Sequence, residues 1–372
     1  MIYFDNAATT AVCREAADAA YKVMTEVYGN PSSLHSAGME AEKIMESARE
    51  KIAKKLNADK SCVYFTSGGT ESDNTAVFGG AIRGGGRKTV ICSAAEHPAV
   101  SAPMRKLAEQ GFNVKTVNLL PSGIIDLNCL EELLGDDVAL VSIMHINNET
   151  GCIMPMKEAV SLIRKKAPHA LIHSDMVQAF TKAEPADVDL ISVSSHKIHG
   201  PKGCGALYIK KGVSISPRVF GGGQEKKVRP GTQNLPGIAG FGEAAELADM
   251  RAEYEHAKRL KDTFIHGLDG MKDIKINGEN TIPQIINVSF KGTRSEVMLH
   301  MLESEGIMVS SGSACSSNSP SPSPVLTAMG LAPEYVDSAL RFSFSRYNTE
   351  EEVEICINAI KKHLDTVRRM MR

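Results

Sequence analysis

The sequence predicts an α/β fold, a mostly parallel seven-stranded sheet with helices on both faces, joined to a smaller α+β domain. Three observations carry that expectation. From about residue 61 to 211, short apolar runs alternate with longer segments of helical period. Several of the runs are apolar almost throughout, as strands covered on both faces are. Beyond Pro236 the alternation gives way to longer helical patterns with isolated short runs between them.

In chain order, the expected strands of the large sheet are residues 62–66, 89–93, 114–118, 138–144, 170–174, 190–194 and 205–209. A continuous helical stretch from about residue 237 to 268 reads as the bridge out of the large domain. Residues 285–290 and 340–344 alternate like half-exposed strands. The last helix opens at Asn348 and Thr349, with Glu350 to Glu352 in its first turn, where negative charge meets the positive end of the helix dipole. Val353, Cys356, Ile357, Ile360, Leu364 and Val367 then recur on one face as its apolar stripe. The large domain is expected over 12–250, and the small one over 1–11 together with 251–372, carrying a loop at about 310–325.

Lys+Arg 42 against Asp+Glu 44 leaves a net charge of −2, so no global basic surface argues for nucleic acid or an anionic membrane. The start lacks the cationic segment and apolar run of a signal peptide, and no stretch reaches the ~20 apolar residues that span a bilayer. A cytoplasmic protein with a small, specific ligand is expected. Its 8 cysteines are scattered, without a C-x-x-C pair or a Cys/His cluster at metal spacing, so no metal site is expected. Most read as buried, reduced thiols. Cys315 differs, because it sits in the polar run Ser310-Ser-Gly-Ser-Ala-Cys315, which a Ser/Pro tract follows.

Three local patterns carry chemistry. Phe65-Thr-Ser-Gly-Gly-Thr-Glu-Ser-Asp-Asn74 follows a strand and opens a helix, so free N–H groups near Gly69 and the Thr70 hydroxyl form an anion site, or else a plain Gly-rich connection. The nearby Gly84-Gly-Gly-Arg-Lys-Thr89 reads as a surface loop, since Arg87 occupies the glycine slot of a nucleotide loop. Asp175 closes a strand at the sheet edge where α/β proteins bind ligands; its structural alternative is a helix cap or salt bridge. Lys197, in Ser194-Ser-His-Lys197, ends another strand, where a lysine withdrawn from solvent attacks a carbonyl; the alternative is a solvated surface lysine. Together they fit pyridoxal 5'-phosphate, whose aldehyde needs a lysine, whose ring nitrogen needs an acid and whose phosphate needs a helix N-terminus.

Those segments belong to a longer series. Asp5-Asn-Ala-Ala-Thr-Thr10, Tyr28-Gly-Asn-Pro-Ser-Ser33, Glu96-His97, His145-Ile-Asn-Asn-Glu149, His173 to Gln178, Gly221-Gly-Gly-Gln-Glu225, Arg229-Pro-Gly-Thr232, Ser310 to Cys315 and Arg341-Phe-Ser, with the runs above, resemble the cysteine desulfurase family. These are pyridoxal-phosphate enzymes of iron–sulfur assembly within the class V aminotransferase superfamily. The match runs in family order from residue 5 to about 346.

The resemblance implies a fold-type I homodimer that converts L-cysteine to L-alanine and leaves the sulfur on Cys315 as a persulfide, for an iron–sulfur scaffold or another acceptor protein. It implies that Lys197 holds the cofactor and moves the substrate Cα proton. Asp175 would pair with the ring nitrogen, Gln178 would hydrogen-bond the ring oxygen, and His97 would stack on the ring and assist proton transfer. Gly69, Thr70, Ser194 and His196 would hold the phosphate, with Thr232 reaching the phosphate of the other subunit. Asn148 and Arg341 would bind substrate, although Asn147 stands beside Asn148 and spacing alone does not choose between them. A class V aminotransferase or a selenocysteine lyase on the same scaffold is the alternative activity. Three departures from the family pattern stand out: Ser195 replaces a usual Gly, Lys226 a common Arg, and Pro320, Pro322 and Pro324 stiffen the far side of the Cys315 loop.

Overall fold

The computed structural model describes residues 1–312 and 322–370. Its strands, in chain order, are β1 (Ile2–Tyr3), β2 (Val63–Thr66), β3 (Thr89–Ser93), β4 (Asn113–Val117), β5 (Val138–Ser142), β6 (Leu171–Asp175), β7 (Leu190–Ser194), β8 (Gly205–Ile209), β9 (Ile274–Asn277), β10 (Ile285–Phe290), β11 (Ile307–Met308) and β12 (Ala339–Ser343). β2 to β8 form one seven-stranded sheet in the order β2-β8-β7-β6-β5-β3-β4. The run from β7 to β4 is parallel, and β8 lies antiparallel to both its neighbours. The fold is therefore the α/β sheet expected, with strand ends displaced by a residue or two.

Strands β3, β5 and β7 are buried along their whole length, which is why their sequences show no polar alternation. The helix Gly69–Ile82 packs across β5, β6, β7 and β8 and is buried on nearly every side, so it too lacks a polar face. Truncating a fully enclosed side chain here, such as Leu140, would cost about 2–5 kcal/mol through lost burial and the cavity left behind.

The expected single helix over 237–268 is two helices, Leu235–Leu247 and Met250–Gly267. Ala248 leaves the helical region at φ −67°, ψ 121°, and Asp249 caps the second helix by accepting the Ala252 N–H at 3.0 Å.

A second sheet, β12-β10-β9, is antiparallel, with an apolar core of its own. Phe264 of the helix Met250–Gly267 packs on Phe342, ring centroids 4.7 Å apart. Strands β10 and β12 alternate as expected but are not half-exposed, since both are buried throughout. Their polar face is covered by the rest of the chain and hydrogen-bonded to it. Asn287 donates to the Glu149 carbonyl at 3.2 Å, Arg341 to the Asn148 carbonyl at 2.9 Å, and Ser343 Oγ accepts the Ala7 N–H at 2.8 Å.

Strand β1 pairs in parallel with β11, and residues 7 and 8 beyond it meet Gln178, Lys197 and Ser343. The seven cysteines among the described residues are free thiols, all buried except the half-buried Cys129. Cys315 and Pro320 lie outside the described residues.

Candidate active site

Asp175 is the last residue of β6, and β7 runs parallel beside it before turning through Ser195–Lys197. The helix Gly69–Ile82 begins at the same edge of the sheet, so three separate segments deliver their polar groups to one place. Gly69, Thr70, Ser194 and His196 line one cavity of about 180 Å³ there. His97, Asn148, Asp175, Gln178, Lys197 and Arg341 line the same cavity. Thr232 does not; it is exposed in the segment before the helix Leu235–Leu247.

Lys197 Nζ donates to the Ala7 carbonyl at 2.6 Å and the Ala8 carbonyl at 2.7 Å, so the N-terminal strap holds this ammonium at the cavity wall. Asp175 Oδ1 accepts the Val177 N–H at 2.8 Å. Burial raises the Asp175 pKa, against the pull of that N–H and the Lys197 cation.

His97 caps the helix Pro98–Glu109, with Nδ1 accepting the Ala99 N–H at 3.1 Å. That bond leaves the proton of the neutral ring on Nε2. Burial, then the Lys197 cation, pushes the His97 pKa down to about 4, so the ring is neutral at physiological pH. Burial likewise takes His196 to about 4, with its Nδ1 3.1 Å from Thr9 Oγ1.

The neighbours Asn147 and Asn148 have different work. Asn147 is fully buried; its Oδ1 accepts the N–H groups of Glu149 and Thr150, each at 2.9 Å, and its Nδ2 donates to the Ala95 carbonyl. It folds the turn that presents Asn148 to the cavity.

Sequence reasoning missed Asp73, one turn into the helix after Gly69, which also lines the cavity. Burial, reinforced by the Asp175 charge, raises its pKa well above the carboxylate range. His173 Nε2 lies 3.5 Å from Asp73 Oδ1, and burial pushes that histidine down to about 3, so its ring is neutral at this contact. Glu96, flagged only as part of a motif, ties β3 to the segment after β5. Its Oε1 accepts from Ser93 Oγ at 2.6 Å and Met144 N–H at 2.7 Å, and burial raises its pKa to about 8. Asp73 gave no advance signal, since Glu71, Ser72, Asn74 and Thr75 around it make the run look like a solvated face.

Pyridoxal 5'-phosphate fits this donor set. The helix at Gly69 starts on Gly68 with no side chain capping it, which leaves N–H groups for an anion. A side chain at 69 would put its Cβ 2.7 Å from Val177 Cγ2, so only glycine permits that close approach. Gln178 Nε2 donates to the Ala7 carbonyl at 2.8 Å and carries a second hydrogen, while its buried Oε1 has no partner. Arg341 Nε is likewise buried and unpartnered. Among the described residues no group of three or more His, Cys, Asp or Glu could hold a metal ion, and no helix is long and apolar enough to cross a membrane. The Ser195 hydroxyl, where the family pattern has Gly, is buried without a partner and occupies the space that a side chain at Gly200 would need.

Comparison with known proteins agrees with this geometry. Residues 2–356 match the family described as aminotransferase class-V. The chain is 40% identical over 99% of its length to the cysteine desulfurase IscS of Methanosarcina thermophila, covering 93% of that protein. A solved NifS-like protein superposes with a TM-score of 0.92 at 38% identity, covering 98% of this chain and 99% of its own. A structure of SspA in complex with cysteine has a TM-score of 0.83 at 30% identity, covering 94% of this chain and 100% of its own. A lysine, an acid and an open helix end converging on one cavity, in a chain matched from end to end, establish that this protein belongs to the class V aminotransferases and, within them, to the pyridoxal-phosphate-dependent cysteine desulfurases.

Proposed function

We propose that this protein converts L-cysteine to L-alanine and passes the sulfur to the Cys315 thiol, from which an acceptor protein of iron–sulfur assembly or another sulfur-using process collects it. The observation that carries this reading is the convergence of Lys197, Asp175, Asn148 and Arg341 on one cavity at the open end of the helix Gly69–Ile82. The SspA relative solved with cysteine supports the choice of substrate.

The division of labour follows from the side chains. When bound, pyridoxal phosphate supplies a conjugated electron sink next to the substrate amine. Gly69, Thr70, Ser194 and His196 hold its phosphate, and Gln178 meets its ring oxygen. The Asp175 carboxylate would hold a proton on the ring nitrogen, an interaction that would also offset the cost of burying that carboxylate. Arg341 and Asn148 receive the substrate, the guanidinium taking the α-carboxylate as a planar fork.

Lys197, whose amine sits at the cavity wall, would hold the cofactor and would be the base that takes the substrate Cα proton. His97, neutral and with its proton on Nε2, would pack on the cofactor ring and serve proton transfer at that atom. The Cys315 thiolate then attacks the substrate sulfur. The substrate C–S bond breaks, an S–S bond forms on Cys315, and the substrate Cβ gains a proton, so cysteine plus thiol balances alanine plus persulfide.

The same reading makes the protein a cytoplasmic homodimer in which Thr232 of one protomer completes the phosphate site of its partner, an arrangement its exposed position allows. It divides the chain into a large unit at 12–250 and a small one formed by 1–11 and 251–372. The test is incubation with L-cysteine, assaying alanine and the intact mass of the protein. Stoichiometric alanine with a gain of one sulfur atom on Cys315 is expected. A requirement for a keto-acid acceptor would indicate an aminotransferase instead, and a marked preference for selenocysteine a lyase.

A further inference from the structure

The turn that opens the helix Gly69–Ile82 is gripped from outside the cavity. The N–H just before it and one within it each donate to a carboxylate: Phe65 N–H to Glu225 Oε2 at 2.8 Å and Ser67 N–H to Glu71 Oε2 at 2.6 Å. Each carboxylate is in turn held by an arginine. Arg49 engages Glu225 with both Nη atoms, at 2.8 and 2.9 Å, and Arg229 Nε reaches Glu71 Oε1 at 3.0 Å. Glu225 and Arg229 belong to one segment, and Glu225, Lys226 and Lys227 are three successive non-glycine residues in the left-handed region, at φ 46°, 52° and 67°. Such strain persists only where surrounding contacts over-determine it. None of Arg49, Glu71, Glu225 or Arg229 lines the cavity.

We propose that Glu71, Arg229, Glu225 and Arg49 are positioning residues for the cofactor phosphate: the 225–229 segment is a strained clasp that fixes the phosphate-binding turn without touching the phosphate. This rests on residues 66–70 being that turn. Arg229 has a second task. Glu71 lies in the first turn of the helix whose N-terminus must attract a phosphate dianion, so its charge competes with the ligand for the same positive end. Arg229 neutralises that competitor while leaving Glu71 able to hold Ser67.

The experiment is titration of the cofactor-free protein with pyridoxal phosphate and, separately, with pyridoxal, which lacks the phosphate, following the absorbance of the lysine-bound chromophore. Arg229→Gln is the main variant, because its side chain is partly exposed and its loss spares the core. It should weaken pyridoxal phosphate at least tenfold while changing pyridoxal less than twofold. Glu71→Gln keeps an acceptor for Ser67 N–H and removes the competing charge, so the double variant Glu71→Gln/Arg229→Gln should bind pyridoxal phosphate more tightly than Arg229→Gln alone. Equal loss for both ligands, no loss for either, or no recovery in the double variant would overturn the proposal. If the unaltered protein bound pyridoxal as tightly as pyridoxal phosphate, the phosphate-turn reading itself would fall, a result distinct from the other three.

Discussion

Arg341 Nη2 lies 2.7 Å from Asp5 Oδ1, a pair formed between residues 336 positions apart. The guanidinium is almost wholly enclosed, spends Nη1 on the Asn148 carbonyl, and keeps an unpartnered Nε. Asp5 therefore fixes the plane of the fork before substrate arrives. Arg341→Lys retains the charge but loses that plane. It should raise KM for L-cysteine at least tenfold while leaving the dissociation constant for pyridoxal phosphate within twofold. Steady-state kinetics and cofactor titration check both, and an unchanged KM would remove Arg341 from substrate binding.

Lys197→Ala should abolish covalent attachment of the cofactor. Borohydride reduction of the unaltered protein followed by peptide mapping should place the label on Lys197. Label on Lys182, whose Nζ lies 3.4 Å from the Lys197 carbonyl, would move the assignment to that neighbour.

Asp175→Asn is nearly isosteric, and an amide still accepts the Val177 N–H, so the fold should survive. An amide cannot sustain a proton on the ring nitrogen. Activity should fall by more than tenfold, equivalent to about 1.4 kcal/mol of transition-state stabilisation. A smaller loss in a variant with an unchanged melting temperature would point to Asp73 as the ring's acid.

The His97 pKa in the folded, cofactor-free protein is lowered to about 4. Because a lowered pKa favours the neutral ring, the associated stabilisation is complete above the unfolded value of about 6.5 and is lost as pH falls through about 4. The His97 ring resonance in NMR should accordingly stay at its neutral position from pH 7.5 down to 5.5. A midpoint near 6.5 would mean that the ring is solvated.

Cys315→Ala should still bind L-cysteine, since Lys197, Arg341 and Asn148 act before the thiol is needed, but turnover should collapse. Cysteine binding by absorbance and alanine release by amino-acid analysis separate the two steps. Alanine release at the unaltered rate, or persulfide on buried Cys152 or Cys204, would reassign the acceptor.

Lys197 and Asp175 were legible from the sequence because each ends an apolar run, and a strand's end is where an α/β sheet opens to a ligand. Asn148 was not separable from Asn147, since both sit in one turn and only the backbone groups around Asn147 reveal which amide is consumed. Ala7 and Ala8 were invisible as partners of Lys197, because they act through carbonyl oxygens that any residue carries. Asp73 was hidden for another reason: a polar residue in a helix ordinarily marks the solvent side, whereas this helix is enclosed almost all round. Strands β10 and β12 showed the right period and the wrong exposure, since period reports two unlike faces and not whether distant chain covers the polar one. The break at Ala248 was signalled by Asp249 as a cap, within a pattern that otherwise ran on.

The strap at residues 5–8 has a consequence for synthesis. Asn6 Nδ2 donates to the Ser343 carbonyl at 2.9 Å, 337 positions away, and Asp5 waits for Arg341. At about 5–20 residues per second, the ribosome delivers those partners roughly 20–70 s after the strap itself. Until then the strap is held only by its contacts to Gln178 and Lys197, and the lysine cradle it forms lacks its anchor to the C-terminal strand. Vectorial folding thus leaves the cofactor pocket among the last features to close, so a nascent chain stalled before residue 340 should carry a folded large sheet and still fail to retain its vitamin.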